Sequence, residues 1–168
     1  MSLLNIDEKL LSAAIHSTKG GLQMTGIDPP PVGATRSFNA PRTYSILVGM
    51  VGRNTGTVTL NFGEKGLCLV AGRFLGESFT TVDDEVFDAI MEIGNIVAGC
   101  VKDYLIGTEY AIDNISLPSV VLGGNYSFYY SRGITVVSVE FELEDIPVAQ
   151  NQDRFFSTTI SFLRTSGC

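Results

Sequence analysis

The chain is 168 residues long, 45% hydrophobic and carries a formal charge of −7, values that fit one domain with a real buried core. Its apolar runs are too short to span a bilayer, and the acidic balance argues against a nucleic-acid binder, which needs a basic face to neutralise phosphates. Cys68, Cys100 and Cys168 form no CxxC pair, which suits a reducing compartment better than a disulfide framework or a zinc site. Met1 to Ala14 has no basic segment ahead of a clean apolar stretch, so no secretion signal is expected and a cytoplasmic location is.

In chain order, Asn5 to Thr18 reads as a first helix, with Ile6, Leu10, Leu11, Ala14 and Ile15 as its buried side and Gly20-Gly21 as its stop. Gly26 to Arg42 contains Pro29-Pro30-Pro31 and Pro41 and has no sustained period, which predicts a loop or extended connector. Tyr44 to Val51 is an apolar strand. A turn at Arg53-Asn54-Thr55-Gly56 leads into Thr57 to Phe62, where alternation buries Val58, Leu60 and Phe62 and leaves the polar residues outside. Lys65 to Leu75 reads as a short helix ending near Gly76. Thr80 or Thr81 is placed to cap the next helix, Asp83 to Leu105, whose first turn carries Asp83, Asp84 and Glu85.

Beyond Leu105 only strand signals follow. They are Ser119 to Leu122, Tyr126 to Tyr130 after the turn Gly123-Gly124-Asn125, Val137 to Leu143, and Phe156 to Phe162. Short turns between them imply an antiparallel or mixed sheet with helices packed mainly on one face, an α+β fold in a single domain over residues 1–168. An exposed edge strand of alternating Ser/Glu or Ser/Thr can pair with a second copy, giving a homodimer.

The helix Asp83 to Leu105 holds the most informative pattern. Val86, Ile90, Ile93, Val97, Val101 and Tyr104 recur at helical spacing and form the core stripe. Asp88, Glu92 and Asn95, at i, i+4 and i+7, form a polar stripe on the opposite face. Gly94 and Gly99 each cost about 1 kcal/mol relative to Ala inside a helix. With Ala98 they leave a low profile where another backbone can approach; alternatively, Gly94 and Ala98 pack against a neighbouring helix within the fold. The lone His16 lies on the first helix, far in sequence from this stripe, and reads as a surface or partly buried histidine.

The series Asp88, Glu92, Asn95 and Pro118, with the run Glu92-Ile-Gly-Asn-Ile-Val-Ala-Gly99 and the segment Leu117-Pro118-Ser119-Val120-Val121, resembles the motif of the CheC, CheX and FliY chemotaxis phosphatases. The likeness covers roughly residues 5–162. CheC-type chains carry two such motifs, whereas Glu-x-x-Asn occurs here once, so the chain resembles the single-site CheX branch.

That resemblance implies a CheC/CheX-like fold and a phosphatase acting on the aspartyl phosphate of a phosphorylated CheY-like receiver domain. By the same resemblance Asn95 orients the attacking water and Glu92 pairs with the receiver's lysine. Asp88 and Gly99 support or dock, and Pro118 shapes the entrance to the strand after the helix. No cofactor or metal site is expected on this chain, Mg²⁺ being supplied by the receiver, and two chains are expected to join through their sheet edges. The competing reading is a receiver-binding or flagellar-switch-like adaptor without hydrolysis. A metabolite-binding domain or small-molecule hydrolase is disfavoured, because no phosphate-cradling Gly-rich loop, nucleophile elbow or metal cluster is apparent.

Overall fold

Strands with apolar side chains at every second residue leave a sheet face that must be covered, and here helices cover it. The computed structural model describes residues 5–129 and 133–163. Helix α1 (Glu8–Leu22) is followed by strands β1 (Pro31–Thr35), β2 (Asn39–Ala40), β3 (Tyr44–Val51) and β4 (Thr55–Phe62), then helices α2 (Glu64–Leu75) and α3 (Asp84–Tyr104). Strands β5 (Asn114–Ile115), β6 (Ser119–Leu122), β7 (Tyr126–Ser127) and β8 (Ile134–Glu142) come next, and a short helix α4 (Asn151–Arg154) leads into β9 (Phe155–Leu163).

Seven strands form one antiparallel sheet in the order β1-β8-β9-β4-β3-β5, with β6 also paired to β3. Its inner face, including Ile46, Val48, Leu60, Val139, Phe141 and Ile160, shares one core with α1, α2 and α3. This is the expected α+β architecture with helices on one face. The opposite face is partly closed by the two-stranded ribbon β2–β7, around Phe38, Ala40, Val136, Tyr126 and Ile134.

Several expectations from the pattern need correction. Gly20-Gly21 does not end α1, which runs on to Leu22 and starts at Glu8 with Asp7 as its cap. A Cβ at Gly21 would lie 2.3 Å from Val97 Cγ2, so this glycine is what lets α1 and α3 approach closely. The chain instead turns away at Gly26, whose φ of 72° suits a residue without a side chain. The proline-rich connector contributes β1, an edge strand on β8, and β2. Prolines are tolerated there because an edge position need not donate on its outer side.

Thr59 and Asn61 are not left outside: both are buried on the second sheet face. Asn61 accepts from the Arg42 backbone N–H and donates to the Arg42 carbonyl and to Ser45 Oγ, which makes its burial affordable. The strands β6 and β7 are not partners of each other. Gly123-Gly124-Asn125 carries the chain from the main sheet to the ribbon, with Gly123 at φ 131° and Asn125 at φ 59°. The predicted strand end at Tyr130, and Cys168, lie outside the described residues.

Candidate functional site

Helix α3 forms because its sequence satisfies both ends and one full face. Asp83, rather than Thr80 or Thr81, caps it by accepting from the Val86 N–H at 2.9 Å, and Asp84 and Glu85 sit in the first turn. Val86, Ile90, Ile93, Val97 and Val101 are fully packed inside. Tyr104 departs from the stripe: it is 43% exposed and stacks on His16, with ring centroids 5.2 Å apart, while Leu105 takes the buried place. His16 is exposed and its Nδ1 lies 2.8 Å from the Ser12 carbonyl oxygen.

The polar stripe faces the other way. Asp88 and Glu92 are exposed, Asn95 is half-buried, and Gly99 follows one turn later on the same face. Among the described residues none of Asp88, Glu92 or Asn95 has a hydrogen-bonding or ionic partner within the chain. A half-buried carboxamide with its donors and acceptor uncommitted, on a helix locked by seven buried apolar side chains, is a polar group held ready for something outside the chain.

The two helix glycines differ. A Cβ at Gly94 would lie 2.7 Å from Ile46 Cγ2, so Gly94 seats α3 against β3 in the sheet. The low profile expected at Gly94 therefore serves internal packing, against a strand rather than a helix, and Ala98 is likewise buried. At Gly99 a Cβ would meet nothing within 4 Å.

Pro118 is half-buried and immediately precedes β6, which pairs with β3 through Leu47↔Ser119 and Ile46↔Val120. Strand β6 touches α3, so Pro118 enters the sheet beside the helix that carries the stripe. Leu117, the residue before it, is 88% exposed, a surface feature that strand-like sequence around it gave no reason to expect. Its neighbour Ser116 bonds back to β3 at Gly49, which turns Leu117 outward.

Chemically, the stripe offers an amide and carboxylates on an exposed helix face. A depression of about 420 Å³ lies away from the stripe, at β1 and β8, lined by Gly33, Thr35, Ser138, Glu140 and Ser157. An exposed helix face suits a macromolecular partner better than a small substrate, which needs a concavity. Among the described residues no group of three or more His, Cys, Asp or Glu side chains is arranged to hold a metal ion. Burial first, and then the Asp103 carboxylate, push the Cys100 thiol up, the wrong direction for a thiolate nucleophile. Nor is any described helix long and apolar enough to cross a membrane.

Comparison with known proteins gives the fold's relatives and the family. The fold is similar to a CheC-like superfamily protein from Shewanella sp. PV-4, with TM-score 0.76 and 22% identity over 94% of this chain and 99% of that one. It is also similar to the chemotaxis protein CheX of Vibrio vulnificus, with TM-score 0.71 and 23% identity over 92% of this chain and 97% of that one. A third similar structure is the CheX of a CheX–CheY–BeF3–Mg²⁺ complex from Borrelia burgdorferi, at TM-score 0.71 and 20% identity, covering 96% of this chain and 100% of that one. No curated protein sequence matches. Residues 44–142, more than half of the chain and all of α3, match the family model described as chemotaxis phosphatase CheX; the chain belongs to the CheX family of chemotaxis phosphatases.

Proposed function

We propose that this chain hydrolyses the aspartyl phosphate of a CheY-like receiver domain, using the exposed stripe of α3. The observation that carries the reading is the pair Glu92 and Asn95, whose side chains have no partner among the described residues and which share one rigid helix face in a chain of this family. The CheX from Borrelia burgdorferi that shares the fold is found together with CheY, which supports a receiver as the class of partner.

In this reading the Asn95 carboxamide accepts from one O–H of a water and holds that water's lone pair in line with phosphorus. The water oxygen bonds to phosphorus, the bond from phosphorus to the receiver's carboxylate oxygen breaks with its electron pair going to the carboxylate, and inorganic phosphate leaves with both of the water's protons. Because an acyl phosphate is already reactive, positioning is the main thing the second protein must add. Glu92 pairs with the receiver's active-site lysine and sets the docking register. Asp88 and Gly99 lie along the same contact, and Pro118 fixes where β6 begins beside it. The receiver contributes its own Mg²⁺, which stabilises charge on the phosphoryl oxygens, and this chain binds none.

Two copies joined through free edges of the main sheet complete the proposal. Sedimentation at the mass of one chain would remove that part alone. A substoichiometric amount of the protein, added to a phosphorylated receiver, is expected to speed release of inorganic phosphate through many turnovers. Retention of phosphorylated receiver with no change in its phosphate lifetime would favour the adaptor reading instead.

A further inference from the structure

We infer that Gly99 is a clearance residue: its missing side chain keeps the space over the Asn95 carboxamide open for the receiver's phosphoryl group. The inference rests on the phosphatase reading and extends it to a residue that touches no reacting atom. Gly21 and Gly94 are explained from within, since a Cβ at either would run into Val97 or Ile46. Gly99 has no such explanation. It sits inside α3 with ordinary helical φ, and a Cβ there would meet nothing within 4 Å. Glycine at that place weakens the helix with no return in packing.

The direction of helical side chains supplies the reason. Each Cα–Cβ bond tilts toward the helix N-terminus, and a long side chain covers the turn before its own Cα. A side chain at position 99 would therefore lean over Asn95, one turn earlier. The Asn95 side chain is half-buried and has no partner among the described residues, and it lies on the outward face of α3 that position 99 shares. Bulk at position 99 would stand where the water, the phosphoryl group and the receiver loop that carries it must come close.

The test is a size series read in two ways. Gly99→Ala and Gly99→Leu are expected to raise Tm by about 2–4 °C, because a better helix former replaces glycine on an open face. Phosphate release from the receiver should nevertheless fall in order of size, modestly for Ala and on the order of 100-fold for Leu. The Leu variant should also bind a beryllofluoride-charged receiver more weakly.

Gly20→Ala is the control. Gly20 lies on α1, where a Cβ would make only an ordinary contact with Cys100 Sγ at 3.5 Å, so the variant should gain stability and keep full activity. A Gly99→Leu protein with raised Tm and undiminished release overturns the inference. A lowered Tm overturns it too, because the site would then be packed rather than open. If Asn95→Ala is inactive while Gly99→Leu is not, only the clearance role fails; if Asn95→Ala is also fully active, the phosphatase reading beneath it fails.

Discussion

Asn95→Ala is expected to be slightly more stable than the parent and inactive as a phosphatase. The two signs have separate origins. The Asn95 side chain makes no hydrogen bond among the described residues, so its removal breaks none of their contacts, and Ala is the better helix former by a few tenths of a kcal/mol. What disappears is the group that orients the water. A loss of in-line positioning costs on the order of 100-fold, so the receiver's phosphate should decay at close to its own unassisted rate. Because Glu92 remains to fix the docking register, the loss should fall on kcat while the half-saturating receiver concentration changes little. Thermal unfolding and a phosphate-release time course on the same preparation check both signs. Hydrolysis as fast as the parent's would show that Asn95 does not carry the chemistry.

Phe156→Ala should bring the largest loss of stability of any single core truncation near the sheet centre. Phe156 is fully buried, its ring centroid 4.5 Å from Phe62 and 5.3 Å from Phe141, stacked on both. Phe141 and Phe156 are also directly opposed across β8 and β9, so the ring bridges three adjacent strands. Truncation removes apolar burial and leaves a hole lined by rings that cannot collapse without moving strands. The expected cost is about 3–5 kcal/mol, a large part of the ~5–15 kcal/mol that holds a domain together. Urea unfolding measures it, and Phe156→Leu, which refills much of the hole, should recover a substantial share. A loss below about 1 kcal/mol would mean the stack is not where the core's stability resides. Activity per folded molecule should be unchanged, since the stripe on α3 lies on the far side of the helical layer.

The elements that sequence made legible are those whose burial follows a local period. Asp83 to Leu105 reads as one helix because its apolar residues repeat at helical spacing, and the observed helix, Asp84–Tyr104, differs by one residue at each end. The strands Tyr44–Val51 and Ser119–Leu122 appear with the boundaries that their pattern indicates. That period also told which side of α3 faces out, so the placement of Asp88, Glu92 and Asn95 on one open stripe was readable before any coordinates.

What sequence hid is whatever depends on a distant partner. Gly21 looks like a helix stop, and only Val97 on another helix explains why it lies inside α1 instead. Strand β1 is short, opens on a proline and carries only Val32 and Ala34 as apolar side chains apart from that proline, too little to mark a strand; it pairs because β8 offers a backbone edge. Asn61 looks like an outward residue of an alternating strand, yet Arg42 and Ser45 satisfy its amide inside. Period sets Gly94 on the Ile90 side of α3 and Gly99 on the Asn95 side, but only Ile46 against one and open space over the other show what each glycine is for. The roles proposed for Glu92 and Asn95 come from the family motif joined to that geometry, because period alone places a side chain without saying what it does.

The most direct measurement is the structure of this chain bound to a receiver charged with beryllofluoride and Mg²⁺, the combination found with the CheX of Borrelia burgdorferi. The receiver should lie across the middle of α3, with the Asn95 amide within about 3 Å of a water or fluoride in line with the aspartate, and Glu92 paired to the receiver's lysine. A receiver seated on another face, with Asn95 still open to solvent, would contradict the account.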